Sequence, residues 1–188
     1  MAGADRRKPR LDSPVSLSPG PSTTTRVAAY AAFALALGYA LVSLYWAAGG
    51  TRGLGTLGGS IERLARSEDA RAATVISIVI VVKLAGAFLA LALVQPWGQR
   101  LPRRLLRIAG GVGSAVLILY GGVEMLGEAL VETGAVTPSG RVDWRALRWH
   151  LGVWDLWFLI WGVALAVAVL ASRHDTEPSP EDAHANNH

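Results

Sequence analysis

The chain has 188 residues, 52% of them hydrophobic, a formal net charge of +4 and no cysteine. Without cysteine there is no disulfide, thiol nucleophile, thiolate metal ligand or CxxC redox chemistry. The positive charge does not argue for nucleic acid, because no polar segment interleaves its basic residues with aromatics, and so apolar a composition is unusual for a soluble domain.

Residues 1–26 read as a disordered cytoplasmic segment: they are polar, rich in Pro, Ser and Thr, and carry Arg6, Arg7, Lys8 and Arg10 without apolar periodicity. The uncharged run at 27–48 is too long for a signal-peptide core. Tyr45 and Trp46 also precede any cut near Ala47 or Ala48, where small residues are needed. A bilayer core of about 30 Å takes about 20 helical residues to cross. Four runs are long enough, at about 27–48, 72–94, 108–131 and 149–171. The second holds Lys83, the third Glu124 and Glu128, and the fourth Asp155 with His150. Irregular backbone cannot face lipid. The expected fold class is therefore all-α, an integral membrane bundle of four transmembrane helices over 27–171. A disordered, acidic tail follows at 172–188.

The first connection, 49–71, contains Gly49, Gly50, Gly53, Gly55, Gly58 and Gly59. No Gly-Lys-Ser/Thr follows and no strand precedes, so it reads as a flexible surface loop rather than a phosphate cradle. Its charged second half, 60–71, suits a short helix on the membrane surface. Pro96 ends the second span, and Arg100, Arg103, Arg104 and Arg107 follow it. The third connection turns at Thr137-Pro138-Ser139-Gly140. Ten Lys and Arg fall in the first segment, the second connection and the tail, against seven in the other two connections. This predicts a multi-pass plasma-membrane protein with both termini cytoplasmic.

An ionisable side chain within a span costs on the order of 3 kcal/mol and is expected to face the bundle. Glu124 lies about 7–8 Å further out than Lys83 along the helix axis, within reach of a snorkelling Lys stem. Gly110, Ser114, Leu117, Gly121, Glu124 and Glu128 share one stripe of the third span. Ile76, Lys83, Gly86, Ala87, Ala90 and Val94 share one of the second. Small residues let membrane helices approach closely, so both faces are expected inward, with Lys83 paired to Glu124 as a register lock or as part of a site. In the fourth span, α-helical spacing puts His150, Trp154, Trp157 and Trp161 on one stripe. It puts Gly152, Asp155, Leu159, Gly162 and Ala166 on another. The second is expected inward and the Trp stripe toward lipid or a side groove. Trp149 and Trp154 read as an interfacial belt, and His150 as a side chain facing headgroups. The expected polar cluster is thus Lys83, Glu124 and Asp155, with Glu128 and His150 about one turn further out. A Glu-x-x-x-Glu pair with a His on another face does not argue for a metal. No metal, cofactor or catalytic residue is expected.

Two segments carry a resemblance: Tyr45-Trp46-Ala47-Ala48-Gly49-Gly50-Thr51-Arg52-Gly53-Leu54, and Arg148-Trp149-His150 with Trp154-Asp155, Trp157-Phe158 and Gly162. Together they resemble a bacterial four-span membrane family known as domain of unknown function 3995. The resemblance covers 27–171 and implies a four-helix membrane fold, with no activity or cofactor to carry over. The expected function is non-enzymatic, the polar cluster binding a small solute, lipid or proton. The alternatives are an accessory subunit docking a membrane partner through the Trp stripe, and a small transporter acting as an oligomer. The expected partners are the lipid bilayer and a membrane protein or second copy of the chain, not nucleic acid.

Overall fold

A computed structural model of the chain describes residues 20–67 and 69–175. The expected disordered ends fall largely on 1–19 and 176–188, outside the described residues. The first helix, α1, spans Thr23–Ala47. It starts ahead of the uncharged run because Ser22 caps it, the hydroxyl accepting the Thr25 N–H at 3.3 Å. Then come α2 (Gly59–Arg66), α3 (Ala70–Ala92), α4 (Arg103–Glu132), α5 (Trp144–Trp149), a π-helical turn (His150–Trp154) and α6 (Asp155–His174). Among the described residues there is no strand. Four helices are long and apolar enough to cross a membrane: α1, α3, α4 and the continuous stretch Trp144–His174.

The neighbour order across the bundle is α3, α1, α6, α4, and the outer pair α3 and α4 barely meet. Apart from Tyr39, the buried residues of α1 are small, with Ala32 and Ala36 fully covered; Ala87 and Ala90 of α3 and Trp161, Leu165 and Val169 of α6 fill the space around them. Small against large lets the helices approach while the core stays filled. The crossing of α4 and α6 is tighter. A Cβ on Gly121 would lie 2.6 Å from the Asp155 carbonyl oxygen, and one on Gly162 would lie 2.9 Å from the Ile118 nitrogen. Only glycine fits at these backbone contacts.

The ends of the bundle are tied. The Asp175 carboxylate accepts the Ser22 N–H at 3.0 Å and the Thr25 hydroxyl at 2.8 Å. It thereby satisfies a free donor at the α1 N-terminus, where negative charge is favoured. Burial pulls this carboxyl upward, but the bonds from Ser22 and Thr25, with His174 nearby, hold it below its ordinary value. The first and last described residues therefore sit at the same end of the bundle.

At the other end, residues 49–58 fold down over the helices rather than forming the expected flexible loop. Leu54 and Leu57 are buried against Tyr39 and Trp154. The Trp46 indole donates to the Arg52 carbonyl at 3.0 Å, and the Tyr45 hydroxyl accepts the Arg52 N–H. Two leucines among the glycines supply enough apolar surface to dock the segment. Of the charged stretch 60–71, the short helix α2 takes up only the first part and α3 already begins at Ala70; α2 has no buried residue and carries the pair of Glu62 and Arg66 at 2.7 Å.

Candidate functional site

The expected pair of Lys83 and Glu124 does not form. Lys83 is buried, and its ammonium donates to the Ser43 hydroxyl at 2.6 Å and sits 3.6 Å over the Tyr39 ring. Ser43 in turn donates to the Tyr39 carbonyl at 3.0 Å. The cause is neighbour order: α3 packs mainly on α1 and barely meets α4. Glu124 remains exposed on α4.

The Trp stripe also needs correction, because it faces the bundle. The Trp154 indole donates to the Thr56 hydroxyl at 3.1 Å and that of Trp157 to the Leu35 carbonyl at 3.0 Å. Trp161 is buried and lies over Gly86, its indole nitrogen without a hydrogen-bond partner. Tyr39 stacks on Trp154 and Trp157, with ring centroids 5.8 and 5.5 Å apart. Such contacts add about 0.5–1.5 kcal/mol per pair beyond area burial. Of the expected interfacial belt, Trp149 stays exposed and Trp154 does not. α6 is a central helix: its Trp stripe meets α1 and its Asp155 and Gly162 stripe meets α4. Two faces more than a quarter turn apart are both covered. Gly152, assigned to the inward stripe, is exposed.

The largest departure concerns His150 and Asp155. In an α-helix of about 3.6 residues per turn, residues five apart lie about 140° apart around the axis. Here the Asp155 N–H donates to the His150 carbonyl, an i→i+5 bond that widens the turn and brings the two side chains to one face. The His150 Nδ1 lies 3.0 Å from Asp155 Oδ2 and 3.9 Å from Glu128 Oε1. Asp155 is 1% exposed, and His150 and Glu128 are each 18% exposed. The second imidazole nitrogen, Nε2, lies 3.0 Å from the Leu57 carbonyl. Gly58, next in the chain, has φ +58°, and a Cβ there would lie 2.5 Å from Ala146 Cβ. A glycine thus lets the segment press onto α5 and aim the Leu57 carbonyl at His150. The second oxygen of Glu128 is buried and has no hydrogen-bond partner.

The hydrogen-bond pattern fixes the chemistry. A carbonyl only accepts, so Nε2 carries a hydrogen. Nδ1 is then either a lone pair facing two carboxylates or an N–H of an imidazolium. Three acceptors cannot converge unless a proton or another cation lies among them, on the imidazole or on a carboxyl. The structure thus brings together Glu128, His150 and Asp155 and leaves out Lys83 and Glu124. Leu57 carried no signal, since its contribution is a backbone carbonyl. A cavity of about 340 Å³ at the opposite end, lined by Arg103, Arg107, Ser172 and Asp175, also borders Gly20, where the described chain begins; it is not assigned as a site.

No curated protein and no solved structure matches the chain. One family model does match, over residues 36–165, a range that holds Leu57, Glu128, His150 and Asp155 together with both sequence signatures. The chain belongs to the family described as protein of unknown function, DUF3995.

Proposed function

We propose that the chain is a non-enzymatic, multi-pass plasma-membrane protein that holds a small cationic species, the proton included, at Glu128, His150 and Asp155. The observation that carries this reading is the convergence of Nδ1 and two carboxylates while Nε2 is committed to Leu57. The excess of Lys and Arg beside the termini and the second connection supports cytoplasmic ends, with the cluster toward the outer face. The lipid bilayer is then the main partner, with a second copy of the chain or another membrane protein against the exposed faces of α3 and α4. Docking through the Trp stripe loses its motive, since those indoles lie within the bundle against α1 and α3.

Two measurements test the proposal. Reporter fusions at Gly59 and Ser139 are expected to read outside, and fusions at Gln99 and His188 inside; the reverse pattern overturns the orientation. Thermal unfolding of the detergent-purified chain is expected to respond to pH or to a small cation. The double variant Glu128→Gln, Asp155→Asn should lose that response, and an equal response in the variant removes the cluster as the binding site.

A further inference from the structure

We propose that Glu128, His150 and Asp155 form a site for a divalent first-row transition-metal ion, bound through Nδ1 of His150 and one oxygen of each carboxylate. This rests on the reading of the cluster as a cation site and names the cation.

The geometry is that of a nearly closed chelate. Ligand atoms about 2.0–2.2 Å from a metal ion lie about 3.0–3.5 Å from each other. Nδ1 and Asp155 Oδ2 are 3.0 Å apart, Nδ1 and Glu128 Oε1 are 3.9 Å apart, and the three ligand atoms all lie within 4.8 Å of one another. Only the Glu128 side chain has to move, and its second oxygen is free of protein partners.

The outer shell fits as well. A metal-bound histidine commonly donates its other ring N–H to a carbonyl, which fixes the tautomer and the ring plane. Leu57 supplies that carbonyl to Nε2. A divalent ion also balances the charge. With both carboxylates ionised, a single shared proton leaves a net −1, whereas a divalent ion, like a second proton on a carboxyl, brings the three groups to neutrality. In a helix bundle of low dielectric the neutral arrangement is favoured. One nitrogen and two oxygens suit zinc, manganese or ferrous ions rather than soft monovalent ones. Three protein ligands leave coordination positions for water or a small ligand, and the partly exposed His150 and Glu128 leave a path to them.

The test uses the full chain purified in detergent, stripped with chelator and dialysed against Zn²⁺. The expected result is one tightly bound ion per chain, with affinity about a hundredfold lower in Glu128→Gln and in Asp155→Asn. Glu128→Gln keeps side-chain size, and circular dichroism verifies that the helices persist. Co²⁺ in place of Zn²⁺ should give visible ligand-field bands that the same variants lose. Undiminished binding in both variants overturns the site. If the wild type binds no metal, the metal assignment falls, and ¹⁵N-histidine spectra of the metal-free chain decide the cation reading. A protonated Nδ1 on His150 leaves that reading standing, whereas a bare Nδ1 ends both.

Discussion

Lys83 and Asp155 are both buried charges in apolar helices, yet their surroundings differ in kind. Lys83 is taken up by one helix, α1, through a hydroxyl and an aromatic face. Asp155 is met by three separate pieces of chain: the π-helical turn with His150, α4 with Glu128, and the carbonyl of Leu57 behind the imidazole. Both lie toward the end of the bundle that Tyr39 and Trp154 fill, but the surroundings of the lysine are closed. Those of the aspartate keep an unpartnered carboxylate oxygen and partial access from outside. Burial of charge by itself therefore does not mark a site; unused ligand capacity beside the buried charge does.

The contrast can be broken most directly at Asp155. Asp155→Leu leaves His150 and Glu128 without their buried partner and is expected to lower unfolding free energy by about 3 kcal/mol, measured by denaturant titration in detergent. Gly121→Val acts on the same end from the side. The added bulk meets the Asp155 carbonyl and is expected to lower stability by roughly 2 kcal/mol while pushing Glu128 away from His150. Cation binding should fall with it, and a variant that stays as stable as the parent contradicts the close crossing. Lys83→Met removes a charge but strands none, because Ser43 keeps its bond to the Tyr39 carbonyl. A change below about 1 kcal/mol and unaltered cation binding are expected; a loss as large as that of Asp155→Leu erases the distinction. The smallest effect is at Asp175. Its carboxyl is held below the ordinary value of 3.8, so its contribution is present above that pH and is lost as pH falls through the lower, folded value. Asp175→Asn should therefore flatten the acid limb of the thermal midpoint against pH by slightly lowering the neutral value while leaving the acid value unchanged.

Hydropathy made the four long helices legible, because span length and charge exclusion are properties of each segment alone. The small-residue faces were legible for the same reason: Gly110, Ser114 and Gly121 of α4 and Ala87 and Ala90 of α3 are buried where helical spacing puts them. What failed depended on neighbours. Nothing within α3 says whether Lys83 will meet α1 or α4. Nothing within α6 says that two of its faces will be covered, so the Trp stripe was turned outward. The glycine-rich connection misled because glycines were weighed above Leu54 and Leu57, the residues that dock it. The pairing of His150 with Asp155 was hidden more deeply, since every spacing argument assumed an unbroken α-helix. The nearest sequence signal was the family signature itself, which holds His150, Trp154 and Asp155 together.

A π-turn is what an α-helix becomes when it takes in one residue too many. The turn absorbs that residue, so the helix on either side of it keeps its facing. Gly152 sits inside that turn, is exposed, and has nothing within 4 Å of where a Cβ would stand. Deleting it would leave every candidate ligand and the hydropathy profile in place. The helix would regain its ordinary pitch, and His150 would stand four residues from Asp155, about 40° away around the axis and still on the same face. The extra residue therefore alters the spacing along the axis and not the pairing, and the cluster rests on residue types that either form of the helix presents together.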